Sequence, residues 1–277
     1  MKTSSIVAVL ITAALACAEA QWLNHRDPRI PRTQDGRPNL SAPAPRLNGM
    51  PDLSGVWQAE RTPASEFVRV LGPGLLKIQP DVNDVTKHVI NVFWDVKPGE
   101  EPLRPEAAAF IEQRKKSGRD FQTAYCLPSS IPAAMLILNF KMIQAPGEIV
   151  VLSGNGDPPR QIYIDGRSLP KDPVPSWMGS SAGRWQDDTL VVETTGFNEG
   201  AWLDSFGHPR SEAMRITERY RRRDFGHMDV EVTLDDPKYY TRPFGFKTVL
   251  TLIPDSDVLE YVCTENNKIM QLTSPPK

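Results

Sequence analysis

The chain has 277 residues, with 32 lysines and arginines against 34 aspartates and glutamates, and a net charge of −2. That balance removes the electrostatic case for nucleic acid or an anionic membrane surface as a partner, since both demand a concentration of positive charge. The length is sufficient for one substantial core, and an all-β domain of this size need not be divided.

The start, MKTSSIVAVLITAALACAEA, joins Lys2 to an apolar run from Ile6 to Leu15 and a small-residue site at Ala18-Glu19-Ala20. Residues 1–20 therefore read as a secretory signal peptide. The alternative is lipoprotein-type processing at Ala14-Leu15-Ala16-Cys17, with Cys17 lipidated. The run is too short to cross a bilayer, and no later stretch reaches the ~20 apolar residues a membrane helix needs, so no transmembrane helix is expected. The mature chain is read as exported, periplasmic or extracellular. Cleavage after Ala20 leaves Cys126 and Cys263. In an oxidising compartment a disulfide between them is the default reading, with two buried thiols as the alternative.

Residues 21–50 are rich in Pro, Arg and Asn and read as an extended, mobile arm without apolar surface to bury. Residues 51–277 read as a single domain, its order beginning at Pro51-Asp52-Leu53-Ser54-Gly55-Val56-Trp57. Pro105 to Lys116 has proline near its start, alanines throughout and basic residues at its end, which predicts a helix of about three turns. From Met142 onward the chain breaks into short β-rich runs: Met142–Ala145, Glu148–Leu152, Gln161–Ile164, Ala182–Trp185, Thr189–Thr195, Met214–Arg222, His227–Leu234, Phe246–Ile253, Val258–Thr264 and Lys268–Leu272. Strands with short links and no helical pattern between them predict an antiparallel meander, which at this length closes on itself. The expected fold is all-β, a barrel with one short helical insertion.

One hairpin in that series has two chemically different faces. Asp224-Phe225-Gly226 forms a three-residue loop, with glycine where a type I turn plus bulge takes positive φ. This register sets Arg221 opposite Asp229, Arg219 opposite Glu231 and Thr217 opposite Thr233, each pair favourable by roughly 0.2–1 kcal/mol. The other face carries Ile216, Tyr220, Val230, Val232 and Leu234, and among them the single carboxylate Glu218.

Two sets of residues carry a resemblance. Gly55-Val56-Trp57 before a meander resembles the Gly-x-Trp signature of lipocalins and other calycins, and implies a barrel able to enclose an apolar ligand. Trp177-Met178-Gly179, Gly183-Arg184-Trp185, Asp188-Thr189-Leu190-Val191-Val192, Thr195-Gly196-Phe197, Thr217-Glu218-Arg219-Tyr220, and Asp236-Pro237 with Tyr240-Thr241 resemble a family of exported bacterial proteins of undefined function. That likeness spans Pro51 to Asn267 and implies no particular activity.

Glu218 on an apolar face is either a carboxylate whose burial raises its pKa for acid–base work or half of an ion pair with Arg184, Arg242 or another arginine. His208, in Phe206-Gly207-His208-Pro209, and His227, at the start of a strand, are its candidate catalytic companions or plain hydrogen-bonded surface residues. No HExxH or similar spacing is present, so no metal is expected. Gly72-Pro73-Gly74 and Gly154-Asn155-Gly156 lack the lysine and helix start of a phosphate loop, no Gly-x-Ser-x-Gly elbow occurs, and no cofactor is expected. Trp177, Trp185, Trp202, Tyr239 and Tyr240 lie at strand ends and loops, where they line a ligand site or serve as packing. Tyr220 on the apolar face and the Arg219/Glu231 pair complete the candidate ligand-binding set, the pair being otherwise a solvated sheet face. Three functions are consistent with these residues: a barrel enclosing an apolar small molecule with isomerisation, cyclisation or elimination chemistry at Glu218, a binding module of the same fold without chemistry, or a sugar-binding envelope protein using the aromatic rim. A carboxylate unpaired in a cavity favours the first, and one locked to an arginine favours a structural role.

Overall fold

The computed structural model of the chain describes residues 26–71, 86–117 and 126–265. The signal segment 1–20, Cys17 and the expected strand 268–272 lie outside these residues. Nine strands close a barrel: β3 (Gly55–Ala59), β4 (Phe140–Ala145), β5 (Glu148–Ser153), β6 (Arg160–Tyr163), β7 (Ser180–Gln186), β8 (Thr189–Thr195), β9 (Arg215–Arg222), β10 (His227–Asp235) and β11 (Phe244–Leu252). A two-stranded ribbon, β1 (Arg46–Leu47) and β2 (Met50–Pro51), precedes it. Neighbours in the barrel run antiparallel except β6 and β7, which are parallel and joined only through Ile162 with Ser181 and Tyr163 with Ala182. The meander expected from sequence thus holds at every other joint. Here the connection 164–179 travels the length of the barrel before β7 begins, which is what a parallel neighbour requires.

Alternation along these strands places one coherent set inside. Trp57, Phe140, Ile149, Ile162, Val192, Ile216, Val232 and Leu250 are all buried core residues. The predicted helix is present as α3 (Pro105–Ser117), after two shorter ones among the described residues, α1 (Ala64–Leu71) and α2 (Lys87–Ile90). α1 buries Phe67 edge-on against Trp94, with centroids 5.3 Å apart. Val258–Thr264, expected as a strand, has no strand structure. β11 is already bonded to β10 on one side and β3 on the other, so the closed sheet offers no edge for another strand.

The two ends of the barrel differ. At one end the strands are joined by tight turns, and residues from Arg26 onward lie across it. Ile30 and Ala42 are buried there, so the segment read as an arm without apolar surface to bury does bury some. Phe225 N–H donates to the Ala42 carbonyl at 2.7 Å, Gly226 N–H to that of Leu40 at 2.8 Å, and Arg32 pairs with Asp255 at 2.6 Å. Arg222 closes the same end, donating to the carbonyls of Asp52 and Phe225 with its guanidinium 4.8 Å from the Trp57 ring, and burial draws its pKa down to about 10.

The β9–β10 register is the expected one: Arg221 faces Asp229, Arg219 faces Glu231 and Thr217 faces Thr233. The turn differs in detail. Gly226 is not in the left-handed region, and its missing side chain serves the first segment instead, since a Cβ there would run into the Leu40 side chain. Asp224 holds the turn, its Oδ1 accepting from the N–H groups of Gly226 at 3.0 Å and His227 at 2.7 Å.

The long connections gather at the other end, and one of them fills the barrel. Ile131, Ala133, Ala134, Met135 and Leu136, around a 3₁₀ turn at Ala133–Met135, are all buried in the core cluster. Cys126, at the head of this plug, is disulfide-bonded to Cys263 with Cα atoms 5.5 Å apart, so the default reading of the cysteines holds.

Candidate functional site

Glu218 is where its strand alternation put it, inside the barrel and 1% exposed, but it is not free in an apolar cavity. Arg160, 3% exposed, faces it from β6 and donates through Nη1 to Oε1 at 3.0 Å and through Nη2 to Oε2. The Tyr220 hydroxyl donates to Oε1 at 2.6 Å. The remaining guanidinium hydrogens reach Ser181 Oγ at 3.2 Å, Thr194 Oγ1 at 2.9 Å and Met135 Sδ at 3.4 Å, so all five N–H groups of Arg160 are used. Burial is the largest influence on the Arg160 pKa and acts to lower it, but the Glu218 charge, Tyr220 and the hydrogen bonds to both together outweigh it and the pKa is raised. Burial, and then the same carboxylate, hold the Tyr220 phenol well above its usual range. This is the ion-paired arrangement, with Arg160 as the partner instead of Arg184 or Arg242. The signal for Arg160 was present: extending the run Gln161–Ile164 back by one residue puts Arg160 on the same inward face as Ile162.

His208 and His227 do not meet. His208 is buried at the plugged end, its Nδ1 2.5 Å from Asp204 Oδ2 and its ring edge-on to Phe93 at 4.8 Å. Phe93 packs on Phe244 at the start of β11, whereas His227 is level with Thr251 near the end of that strand. His227 Nδ1 bonds Asp224 Oδ1 at 2.8 Å within its own turn. The length of a β-strand therefore separates the two histidines.

Of the aromatic set, Tyr220 belongs to the ion-pair cluster and Trp185 packs partly buried on the core. Tyr240 is buried with its hydroxyl donating to the Pro209 carbonyl at 2.6 Å, and Trp202 lies under the Arg114 guanidinium at 4.5 Å. Arg219 and Glu231 point outward, Arg219 bonding Gln186 at 3.3 Å and Glu231 pairing with Lys247 at 3.5 Å. Trp177 lines a cavity.

That cavity, of about 620 Å³, is a cleft on the outside of the barrel at the parallel β6–β7 joint, where Gln161 and Tyr163 alternate with the buried Arg160 and Ile162 and face outward. Pro158, Pro159, Gln161 and Tyr163 form one wall, Ser176, Trp177, Ser180 and Ser181 the other, and Arg167 to Pro170 of the crossing connection lie over them. The second wall is held from behind. The Trp177 carbonyl accepts from Ser130 Oγ at 3.0 Å and from Arg210 Nη2 at 3.2 Å, and Arg210 also donates to the Asn198 carbonyl at 3.1 Å, to Asn198 Oδ1 at 3.0 Å and to Ser130 Oγ. Every one of these acceptors is neutral, so Arg210 is a buried cation without a counter-charge among the described residues, and burial draws its pKa down to about 9. Gly179, two residues after Trp177, sits at φ +68°, and a Cβ there would meet the Thr195 carbonyl oxygen at 2.7 Å. Ser181 joins outside to inside, being both a cleft residue and an acceptor for Arg160. Near the first wall, Asp157 is buried, and desolvation raises its pKa although Ser129 N–H donates to it at 2.6 Å and Ser153 Oγ at 3.0 Å.

The sequence marked Trp177 but not Tyr163, Gln161 or Arg210, whose association depends on a parallel joint that no local pattern announced. Among the described residues no group of three or more His, Cys, Asp or Glu side chains is placed to hold a metal ion. No described helix is long and apolar enough to cross a membrane. Comparison of the chain with protein-family models, curated proteins and solved structures found no match.

Proposed function

We propose that this protein is an exported binding module that takes a small molecule in the cleft between β6 and β7, and that its barrel interior is a structural core. The location of the cavity carries this reading: it lies outside the barrel, while the interior is occupied by the plug and by the Arg160–Glu218–Tyr220 cluster. A volume of about 620 Å³ is in the usual range for small-molecule sites, roughly 300–1,000 Å³. Catalysis at Glu218 is the weaker reading, because both carboxylate oxygens already accept charge-assisted hydrogen bonds. Export is supported by the lysine-bearing apolar start, by the resemblance to exported bacterial proteins and by the Cys126–Cys263 disulfide, a bond that persists in oxidising compartments.

Native mass spectrometry of protein purified from its own host tests the reading. The expected spectrum carries a small bound mass that is absent from Trp177→Ala. A mass retained by that variant, or no bound mass in either protein, would count against the cleft as the site.

A further inference from the structure

The walls of the cleft also define what it takes. The lining mixes the polar side chains of Gln161, Ser168, Ser176 and Ser180 and the rings of Tyr163 and Trp177 with aliphatic surface from prolines, Leu169 and Met178. The one charged residue on the lining, Arg167, is occupied: its Nε and Nη2 reach Asp165 at 3.0 and 2.6 Å, and its guanidinium lies 3.8 Å from the Tyr163 centroid. A ligand entering here meets hydroxyls, an amide, aromatic faces and aliphatic surface, and the one charge on the lining is already paired with Asp165. Much of the lining is also wet, with Pro158, Pro159, Gln161, Ser168 and Pro170 exposed. An acyl chain or a sterol needs a dry enclosure to gain from burial, and this cleft does not supply one. A neutral molecule with hydroxyls around its edge and C–H faces above and below matches both kinds of wall.

From this we infer that the cleft is a binding site for neutral saccharides, with Trp177 as the stacking platform and the Gln161 and serine side chains as partners for sugar hydroxyls. The inference rests on the cleft being the ligand site. The platform is prepared before any ligand arrives. A buried arginine without a counter-charge is costly, and Arg210 is placed where its bonds tie three loops together at Ser130, Trp177 and Asn198. The Trp177 ring edge is further confined by Gly200, where an added Cβ would lie 3.2 Å from it. Ordering costs met in the free protein are not charged to binding, which suits a wet site whose contacts are individually weak.

Linear hexasaccharides of glucose, xylose and N-acetylglucosamine, titrated into the full chain with isothermal titration calorimetry as the readout, provide the test. At least one should bind saturably, with Trp177→Ala weakening it about tenfold, the scale of one lost stacking contact. Arg221→Ala, on the outward face of β9 opposite Asp229, should bind like the parent and shows that the loss is local. No saturable binding by any of the three sugars, or equal binding by Trp177→Ala, overturns the saccharide inference. If the sugars fail while a bound mass purified from the host is still lost on Trp177→Ala, the saccharide class is wrong and the cleft reading survives. If that mass persists in Trp177→Ala, the cleft reading itself falls.

Discussion

Glu218→Gln keeps the side-chain volume and removes the charge, leaving the Arg160 guanidinium buried with an amide in place of its counter-ion. Breaking a buried pair from one side costs roughly 3–5 kcal/mol, and Glu218→Gln is expected to lose that much stability in urea unfolding. Replacing both partners, Arg160→Met with Glu218→Met, should recover most of the loss, because no orphaned charge remains. A glutamine variant within about 1 kcal/mol of the parent would mean that solvent or another group compensates Arg160. Glu218 could be singled out in the sequence because a period of two placed it among Ile216, Tyr220 and Val232. Its partner is 58 residues away, on a strand brought opposite only when the barrel closes, and no local pattern carries that information.

For single elements, local chemistry was the better guide. Thr189–Thr195 occurs with its expected bounds, and α3 begins at Pro105 as its proline and alanines indicate. The charge ladder on β9 and β10 fixed the hairpin register, because a slip by one residue would turn its arginines into the core. Gly226 shows where local reasoning reached the right residue for another reason: the glycine makes room for a neighbouring segment instead of supplying positive φ. Gly226→Ala is therefore expected to push Leu40 away from the turn, at a cost of roughly 1–3 kcal/mol typical of overpacking. Limited proteolysis should then cut within residues 26–45 faster than in the parent. Unchanged cleavage would show that Leu40 moves aside without releasing the segment. Among the described residues, α2 and the plug's 3₁₀ turn are too short for any period to be read, and α1, though amphipathic, offers only about two turns.

At the scale of the molecule, the disulfide joins the head of the plug to the segment after β11 across 137 residues. A cross-link over so long a loop contributes on the order of 5 kcal/mol through the entropy it removes from the unfolded chain. The Cys126→Ser, Cys263→Ser double variant should lose stability of that order, and neither thiol should label in the unfolded, unreduced parent. Labelling of both positions would refute the pairing. The all-β barrel could be expected from strand spacing alone, but its one parallel joint could not, because the crossing connection between Tyr163 and Ser180 reads like any other proline-rich loop. That joint has a mechanical consequence. A hoop of nine staves parts where its binding is thinnest, and β6–β7 is fastened by two residue pairs where β9–β10 has eight. Thermal opening of the ring should therefore begin beside Tyr163 and Ala182, on the strands that wall the cleft. A guest gripping both staves would act as a clasp, lending the ring a cohesion that rises with its concentration and affinity.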